Sequence, residues 1–282
     1  MKLTQPTADL YVPDGVPMPE ALSRTTHLCV GSHPDDQEYM AFHGIAECFG
    51  RGDKWFTGVT VTNGEGSARS GIYAGYTDAE MINVRRREQI KAAFVGEYAC
   101  QFQLMYPSSE IKDPDNQGAF TDLRAIFETA RPEIVYLHNP ADKHDTHVAT
   151  FLRALQALRA LPTDRRPARV YGCEVWRDLD WMHDPDKVLH LLDENENIAA
   201  SLAGIFDSQI RGGKRIDKAI AGRRRANASF FQSHETDKAQ ALSFAMDLTP
   251  LVTDDGLSVA DFTLGLIRNF ETDVAKRIAR LS

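Results

Sequence analysis

The chain has 282 residues, of which 43% are hydrophobic and 26% are charged. This composition is ordinary for a globular protein and excludes a largely disordered chain. The net charge of -8 disfavours nucleic acid as a partner, because an acidic surface repels phosphate backbones. The length suits one large domain, so we predict a single domain over residues 1–282.

The first 25 residues are polar and contain several prolines, so we expect an irregular lead-in over residues 1–25. This segment lacks the apolar core of a signal peptide, and no apolar stretch in the sequence approaches a membrane span. None of the four cysteines lies in a C-x-x-C pair. We therefore expect a cytoplasmic protein with reduced thiols and no membrane span.

After the lead-in, short runs rich in Val, Tyr, Phe and Thr alternate with helical patterns. Strands are predicted over residues 27–32, 55–62, 102–106, 133–138 and 169–176. Helices are predicted over residues 40–48, 77–96 and 123–130, and from residue 146 to just before Pro162. A capping box formed by Thr77 and Glu80 marks the start of the second helix. The alternation predicts an α/β protein with a Rossmann-like, mostly parallel sheet covered by helices on both faces.

Beyond residue 176 the alternation weakens, and helices are predicted near residues 197–210, 215–226 and 259–281. In the last helix, one apolar stripe is formed by Ile267, Phe270, Val274, Ile278 and Leu281. The stripe favours packing against the rest of the domain, with a subunit interface as the alternative. We expect residues 177–282 to complete the pocket or to form an interface.

Two loops are rich in side chains that bind metals, and each loop follows a predicted strand. The first loop reads Gly-Ser-His-Pro-Asp-Asp-Gln-Glu over residues 31–38. The second reads His-Asn-Pro-Ala-Asp-Lys-His-Asp-Thr-His over residues 138–147. In open parallel sheets, ligands bind beyond the carboxyl ends of the strands, so both loops are expected at one rim.

Amide hydrolysis requires a nucleophilic water, a base to accept its proton, and stabilisation of the oxyanion. A zinc ion held by three protein ligands can activate the water, and His33, Asp36 and His147 can supply those ligands. Asp35 is adjacent to a ligand and free to face the water, and His144 can face the same cavity. An Asp-Asp pair can also be a simple helix cap, and a lone loop histidine is usually surface. The occurrence of both loops on one rim favours the metal site.

The sequence resembles the PIG-L/LmbE-like family of zinc-dependent N-deacetylases. The resemblance is carried by His-Pro-Asp-Asp at residues 33–36 with Glu38 following, and by His-Asp-Thr-His-Val-Ala at residues 144–149. Supporting pieces are Thr-Asn-Gly-Glu at residues 62–65, Arg85 with Glu88, and Glu-Val-Trp at residues 174–176. The match spans residues 26–176 in the expected order.

The resemblance implies that His33, Asp36 and His147 bind Zn²⁺ or another divalent metal, such as iron, cobalt or nickel. It further implies that Asp35 is the general base and that His144 polarises the substrate carbonyl. Substrate-binding roles are implied for two further residues, Arg85 and Asn63. Known members remove acetyl groups from N-acetylglucosamine conjugates or related small molecules, and several form trimers or hexamers.

The second motif departs from the family pattern, in which an aspartate orients the polarising histidine. Thr146 occupies that position here, and Asp142 or Asp145 could replace the missing carboxylate. Three other functions remain open: hydrolysis of a non-sugar N-acyl substrate, the facial triad of a non-haem iron oxygenase, and a metal- or sugar-binding module without turnover. A dinucleotide site is disfavoured, because Gly-Ser-His-Pro follows the first strand instead of G-x-G-x-x-G.

Overall fold

The computed structural model describes all 282 residues and contains one eight-stranded mixed sheet. Its strands are β1 (Asp9–Tyr11), β2 (His27–Gly31), β3 (Phe56–Thr62), β4 (Cys100–Tyr106), β5 (Ile134–His138), β6 (Arg169–Cys173), β7 (Val188–Leu191) and β8 (Leu242–Asp247). They are arranged in the order β1-β4-β3-β2-β5-β6-β8-β7. The five central strands from β4 to β6 are parallel, whereas β1, β8 and β7 pair antiparallel at the two edges.

Twelve α-helical segments surround the sheet. They are α1 (Glu20–Ser23), α2 (Asp36–Met40), α3 (Phe42–Cys48), α4 (Asp78–Val95), α5 (Ser108–Lys112), α6 (Gly118–Ala130), α7 (Asp145–Arg159), α8 (Glu196–Ile205), α9 (Asp207–Gln209), α10 (Ile216–Phe230), α11 (Thr249–Thr253) and α12 (Val259–Leu281). The predicted capping box at the start of α4 is present, with both reciprocal hydrogen bonds between Thr77 and Glu80. None of these helices combines the length and the apolar character needed to cross a bilayer.

Both faces of the central sheet are buried, because every residue of β2, β3 and β4 is buried. Along β2, Leu28 and Val30 belong to one core cluster of 35 buried residues, whereas Cys29 belongs to a second cluster of 17. Successive side chains of a strand point to opposite faces, so the two clusters lie on opposite sides of the sheet. The predicted Rossmann-like sheet with helices on both faces is confirmed.

The five predicted strands correspond to β2 to β6, but three further strands were missed. The lead-in predicted as irregular contains β1 and α1, and residues 177–282 add β7 and β8 to the same sheet. Buried Glu174, just after β6, ties this part to the sheet. Its carboxylate accepts hydrogen bonds from the Asn227 side chain at 2.7 Å and from the backbone amides of Leu179 and Phe244.

The apolar stripe of α12 does not pack against the domain, which corrects the favoured interpretation. Ile278 and Leu281 are 61% and 76% exposed, and α12 contains no buried residue. Only side chains near its beginning, such as Phe262 and Leu266, contact the larger core cluster. The alternative, that the stripe is a subunit interface, stays a prediction.

Candidate active site

The two loops that are rich in metal-binding side chains, over residues 31–38 and 138–147, meet where the strand order changes direction. From β2 the chain continues through β3 and β4 on one side, and it then places β5 and β6 on the other side of β2. The loops after β2 and β5 therefore diverge and leave a crevice at the carboxyl ends of these neighbouring strands. Ser32 joins the two loops, because its hydroxyl donates to the carbonyl oxygen of Thr146 at 3.2 Å and bonds the Thr150 hydroxyl at 2.7 Å.

The three predicted metal ligands form a compact triangle of ligand atoms. The His33 Nδ1 atom lies 3.2 Å from Asp36 Oδ2 and 3.2 Å from His147 Nε2, and the last two atoms are 3.4 Å apart. A tetrahedral zinc ion with ligand bonds of about 2.0–2.1 Å requires its ligand atoms to be about 3.3–3.4 Å apart. The residues therefore fit a zinc ion without rearrangement, and a fourth coordination position would remain open.

His138 was not predicted as part of the site, yet its ring lies directly behind the triangle. Its ring stacks on His147 with centroids 3.9 Å apart, and its Nε2 atom is 3.4 Å from Asp36 Oδ2. The backbone amide of Ser32 donates to this same Nε2 atom at 2.9 Å. Because an amide N–H can only donate, the lone pair of Nε2 is already used to accept this hydrogen bond. His138 is therefore a poorer metal ligand than His33. Burial lowers the pKa of His138 to about 4, which keeps the ring neutral.

Asp142 orients His147, one of the three predicted ligands. Its Oδ2 atom lies 3.3 Å from His147 Nδ1, which directs the opposite nitrogen, Nε2, toward the triangle. Carboxylates commonly hold metal-binding histidines in this way. Asp142 also accepts hydrogen bonds from the backbone amides of His144 and Trp176. Asp142 does not bond the His144 ring, whose Nδ1 atom is buried without a hydrogen-bond partner. Asp142 therefore does not replace the aspartate that orients this histidine in the family pattern.

Asp35 is held beside the triangle by buried Arg85. The Arg85 Nη2 atom lies 3.2 Å from Asp35 Oδ2, and Arg85 also donates to the Pro34 carbonyl and to the Ser208 hydroxyl. Burial raises the pKa of the Asp35 carboxyl to about 7, although the Arg85 guanidinium opposes the shift. In contrast, histidine contacts led by His147 overcome burial and hold the pKa of Asp36 well below its usual value. The surroundings of these two adjacent carboxyl groups thus shift their pKa values in opposite directions.

A buried polar network supports the backbone of Asp35, which has a φ of 97°. The Asp35 amide donates to the side chain of Gln89 at 3.1 Å, and the Gln89 side chain donates to Glu38 at 2.7 Å. Tyr98 donates to the same Glu38 oxygen at 2.8 Å. Glu38, quoted in the first motif, therefore helps to fix the loop rather than line the crevice.

A cavity of about 640 Å³ opens over the triangle. His144 lines it, with its ring centroid 5.0 Å from His33 and 4.5 Å from His147, and its ring stacks on Trp176 at 6.1 Å. Burial lowers the pKa of His144 to about 4, with further lowering from the neighbouring histidines. Gln209 and Ile216 also line the cavity, so the C-terminal part of the chain contributes to its wall.

The two residues predicted to bind substrate are placed differently. Arg85 lines the cavity, but its side chain is only 2% exposed and its guanidinium is engaged by Asp35 and other neighbours. The Asn63 side chain bonds both the backbone amide and the carboxylate of Glu65, so it braces the turn after β3. Their roles toward substrate stay predictions.

In a comparison with known protein families, one family model matches the segment that carries both loops. The family model for PIG-L, described as GlcNAc-PI de-N-acetylase, matches residues 28–158. No functionally curated protein matches the sequence.

Several solved structures share the fold at low sequence identity. The conserved protein TT1542 from Thermus thermophilus superposes with a TM-score of 0.62 and 18% identity, covering 79% of this chain and 94% of that protein. GalB, the 4-carboxy-2-hydroxymuconate hydratase of Pseudomonas putida, gives a TM-score of 0.60 and 17% identity, with coverages of 83% and 100%. The N,N'-diacetylchitobiose deacetylase of Pyrococcus horikoshii gives 0.55 and 15%, with coverages of 78% and 83%.

The fold and the site together define a hydrolytic enzyme with a candidate metal centre at the switch point of a Rossmann-like sheet. Residues 28–158 match the PIG-L family model, and this match supports an enzyme of the N-deacetylase class.

Proposed function

We propose that this enzyme uses a zinc ion to remove an N-acetyl group from a small sugar conjugate of the N-acetylglucosamine type. The observation that carries the proposal is the triangle of His33, Asp36 and His147, whose edges of 3.2, 3.2 and 3.4 Å suit tetrahedral zinc. The family description, which names an N-acetylglucosamine conjugate, supports the sugar. A non-sugar N-acyl substrate is the alternative, because none of the described contacts singles out a sugar hydroxyl.

A zinc ion held by the three ligands would supply Lewis acidity, which makes water more acidic and polarises an acyl carbonyl. Asp35 then accepts a proton from the attacking water, because its carboxyl group lies beside the ligands and is not one of them. Arg85 fixes the orientation of this carboxylate through its contact with Oδ2. The proton held by Asp35 is available for the leaving amine, so acetate and a free amine are the products.

His144 is the proposed donor to the developing oxyanion. Its ring lines the cavity beside the ligands and is held by stacking on Trp176. Preorganised donors of this kind stabilise the negative charge that develops during acyl transfer. Since no carboxylate contacts its ring, stacking and packing set the orientation of His144 in place of the usual aspartate.

The assigned roles are tested with the variant Asp35→Ala, measured for zinc content and for acetate release from a panel of N-acetylated amino sugars. We expect about one zinc per chain in both proteins and loss of acetate release in the variant, since a general base contributes about 10²–10⁴-fold. The matched control is Asp145→Ala, which removes an exposed carboxylate at the start of the neighbouring helix and should preserve turnover. Parent-like turnover in Asp35→Ala would refute the role of Asp35.

Two other outcomes would redirect the proposal. Zinc binding without acetate release from any N-acetyl compound would favour other water chemistry, such as the hydration for which the similarly folded GalB is named. Failure to bind zinc after reconstitution would leave a binding module without turnover as the better explanation. The resemblance to the family suggests a trimer or hexamer, which light scattering would test. The cytoplasmic location expected from the sequence would be tested by localisation of a tagged chain. Four free, buried cysteines are consistent with a reducing compartment.

A further inference from the structure

Two lysines line the candidate active-site cavity and have no carboxylate partner. Lys143 immediately precedes His144 in the loop before α7, and Lys214 ends the wide turn over residues 210–214. Both side chains are exposed, and neither forms an ion pair or a hydrogen bond within the protein. Unpaired ammonium groups beside a catalytic centre are unexpected in a chain with a net charge of -8.

Trp176 holds Lys214 in place without neutralising its charge. The Lys214 Nζ atom lies 5.1 Å from the centre of the Trp176 ring, within the roughly 6 Å range of a cation–π contact. The same indole stacks on His144. One aromatic ring therefore contacts both the proposed oxyanion donor and the Lys214 ammonium group.

The other charges of the cavity are already paired with one another. Asp35 contacts Arg85, and Asp36 is surrounded by histidines. The two lysines are consequently the cations that remain available to a ligand. Because the chain as a whole repels anions, attraction of an anionic ligand must come from such local charges.

We propose that Lys143 and Lys214 bind an anionic group of the substrate, a phosphate or a carboxylate, while the N-acyl group lies at the triangle. This inference rests on the proposed function and specifies its substrate class: an N-acylated amino sugar or amine that also carries a negative charge. Lysine binds such groups as a point charge and accommodates either geometry.

The test compares acetate release by the zinc-loaded protein from N-acetylglucosamine, N-acetylglucosamine 6-phosphate and N-acetylmuramic acid. The last two compounds separate phosphate from carboxylate as the anion. We expect the parent to prefer at least one charged compound by about tenfold in kcat/KM, and the double variant Lys143→Gln/Lys214→Gln to lose that preference through a higher KM. Turnover of the neutral compound by each protein is the reference against which the preference is expressed. Replacing both lysines by arginine should retain the preference, and added salt should weaken it.

The matched control is Lys91→Gln/Lys218→Gln, which removes two exposed lysines outside the cavity and lowers the net charge equally. This control should keep the preference for the charged compound. Equal turnover of neutral and charged compounds by the parent would overturn the inference and leave the proposed function intact.

Binding of the products by calorimetry keeps the test independent of turnover. The parent should bind glucosamine 6-phosphate or muramic acid about tenfold more tightly than glucosamine, and the double glutamine variant should bind all three alike. If the parent shows no such difference, the anion site is refuted even when no acetyl compound is hydrolysed.

Discussion

Replacing His190 by phenylalanine should make the fold less sensitive to acid. His190 lies in β7, is 3% exposed, and has no hydrogen-bond partner on either ring nitrogen. Three rings enclose it: His43 stacks on it at 4.3 Å, and Tyr171 and Tyr136 pack edge-on at 4.9 and 5.9 Å. Burial, with a smaller effect from His43, lowers the pKa of His190 to about 3.

The magnitude follows from the difference in proton binding between the folded and unfolded states. In the unfolded chain His190 has a pKa of about 6.5 and takes up a proton as the pH falls, whereas the folded chain excludes that proton down to about pH 3. The free energy of unfolding therefore decreases as the pH falls below about 6.5. Between about pH 8 and about pH 5 this one residue removes about 2 kcal/mol.

The assay is urea unfolding of the parent and of His190→Phe at these two pH values, with chelator present throughout. Phenylalanine keeps an aromatic ring against His43 and cannot titrate, so the variant should lose about 2 kcal/mol less than the parent on acidification. The metal-site histidines are the same in both proteins, so their titration cancels in the comparison. A control, His234→Phe, changes an exposed histidine and should behave as the parent. An identical acid loss in parent and His190→Phe would refute the reasoning.

Two further predictions concern the site. Asp142→Asn should weaken zinc binding by about 10–100-fold, because the carboxylate no longer orients His147. Competition with a chromogenic chelator measures the affinity, and an unchanged value would show that Asp142 does not support the metal centre. Arg85→Met should lower the free energy of unfolding by about 3–5 kcal/mol near neutral pH, because Asp35 and Glu88 lose a buried counter-charge. Denaturant titration measures this difference. A loss below about 1 kcal/mol would contradict the prediction and indicate that water replaces the guanidinium.

The central fold was predictable because its signals are local. The strands β2 to β6 lie in runs rich in Val, Tyr, Phe and Thr, and the structure places most of their ends within one or two residues of the predicted positions. In contrast, β7 and β8 lie beyond the regular alternation of strands and helices, and they pair antiparallel. β8 reaches β6 only after about 70 intervening residues, and no local pattern encodes that pairing. β1 has three residues, which is too short for periodicity to detect.

The clustering of the candidate site could be predicted to the extent that the predicted ligands lie in two contiguous motifs. The triangle of His33, Asp36 and His147 has the expected composition because β2 and β5 are neighbours. The partner of Asp142 could not be read from spacing, since His144 and His147 lie two and five residues away and only the loop geometry selects His147. Ser208, which contacts Arg85, comes from a remote segment without any motif.

The backbone of Asp35 has a consequence for how this protein can change. A φ of 97° at a residue with a side chain costs on the order of 1–3 kcal/mol, and glycine would remove that cost. The same substitution would leave Glu88 as the remaining carboxylate partner of the buried Arg85 guanidinium, so Asp35→Gly exchanges backbone strain for an unbalanced charge. Arg85 therefore does two things at once: it holds Asp35 in a strained conformation, and it fixes the position of the proposed base before any substrate is bound.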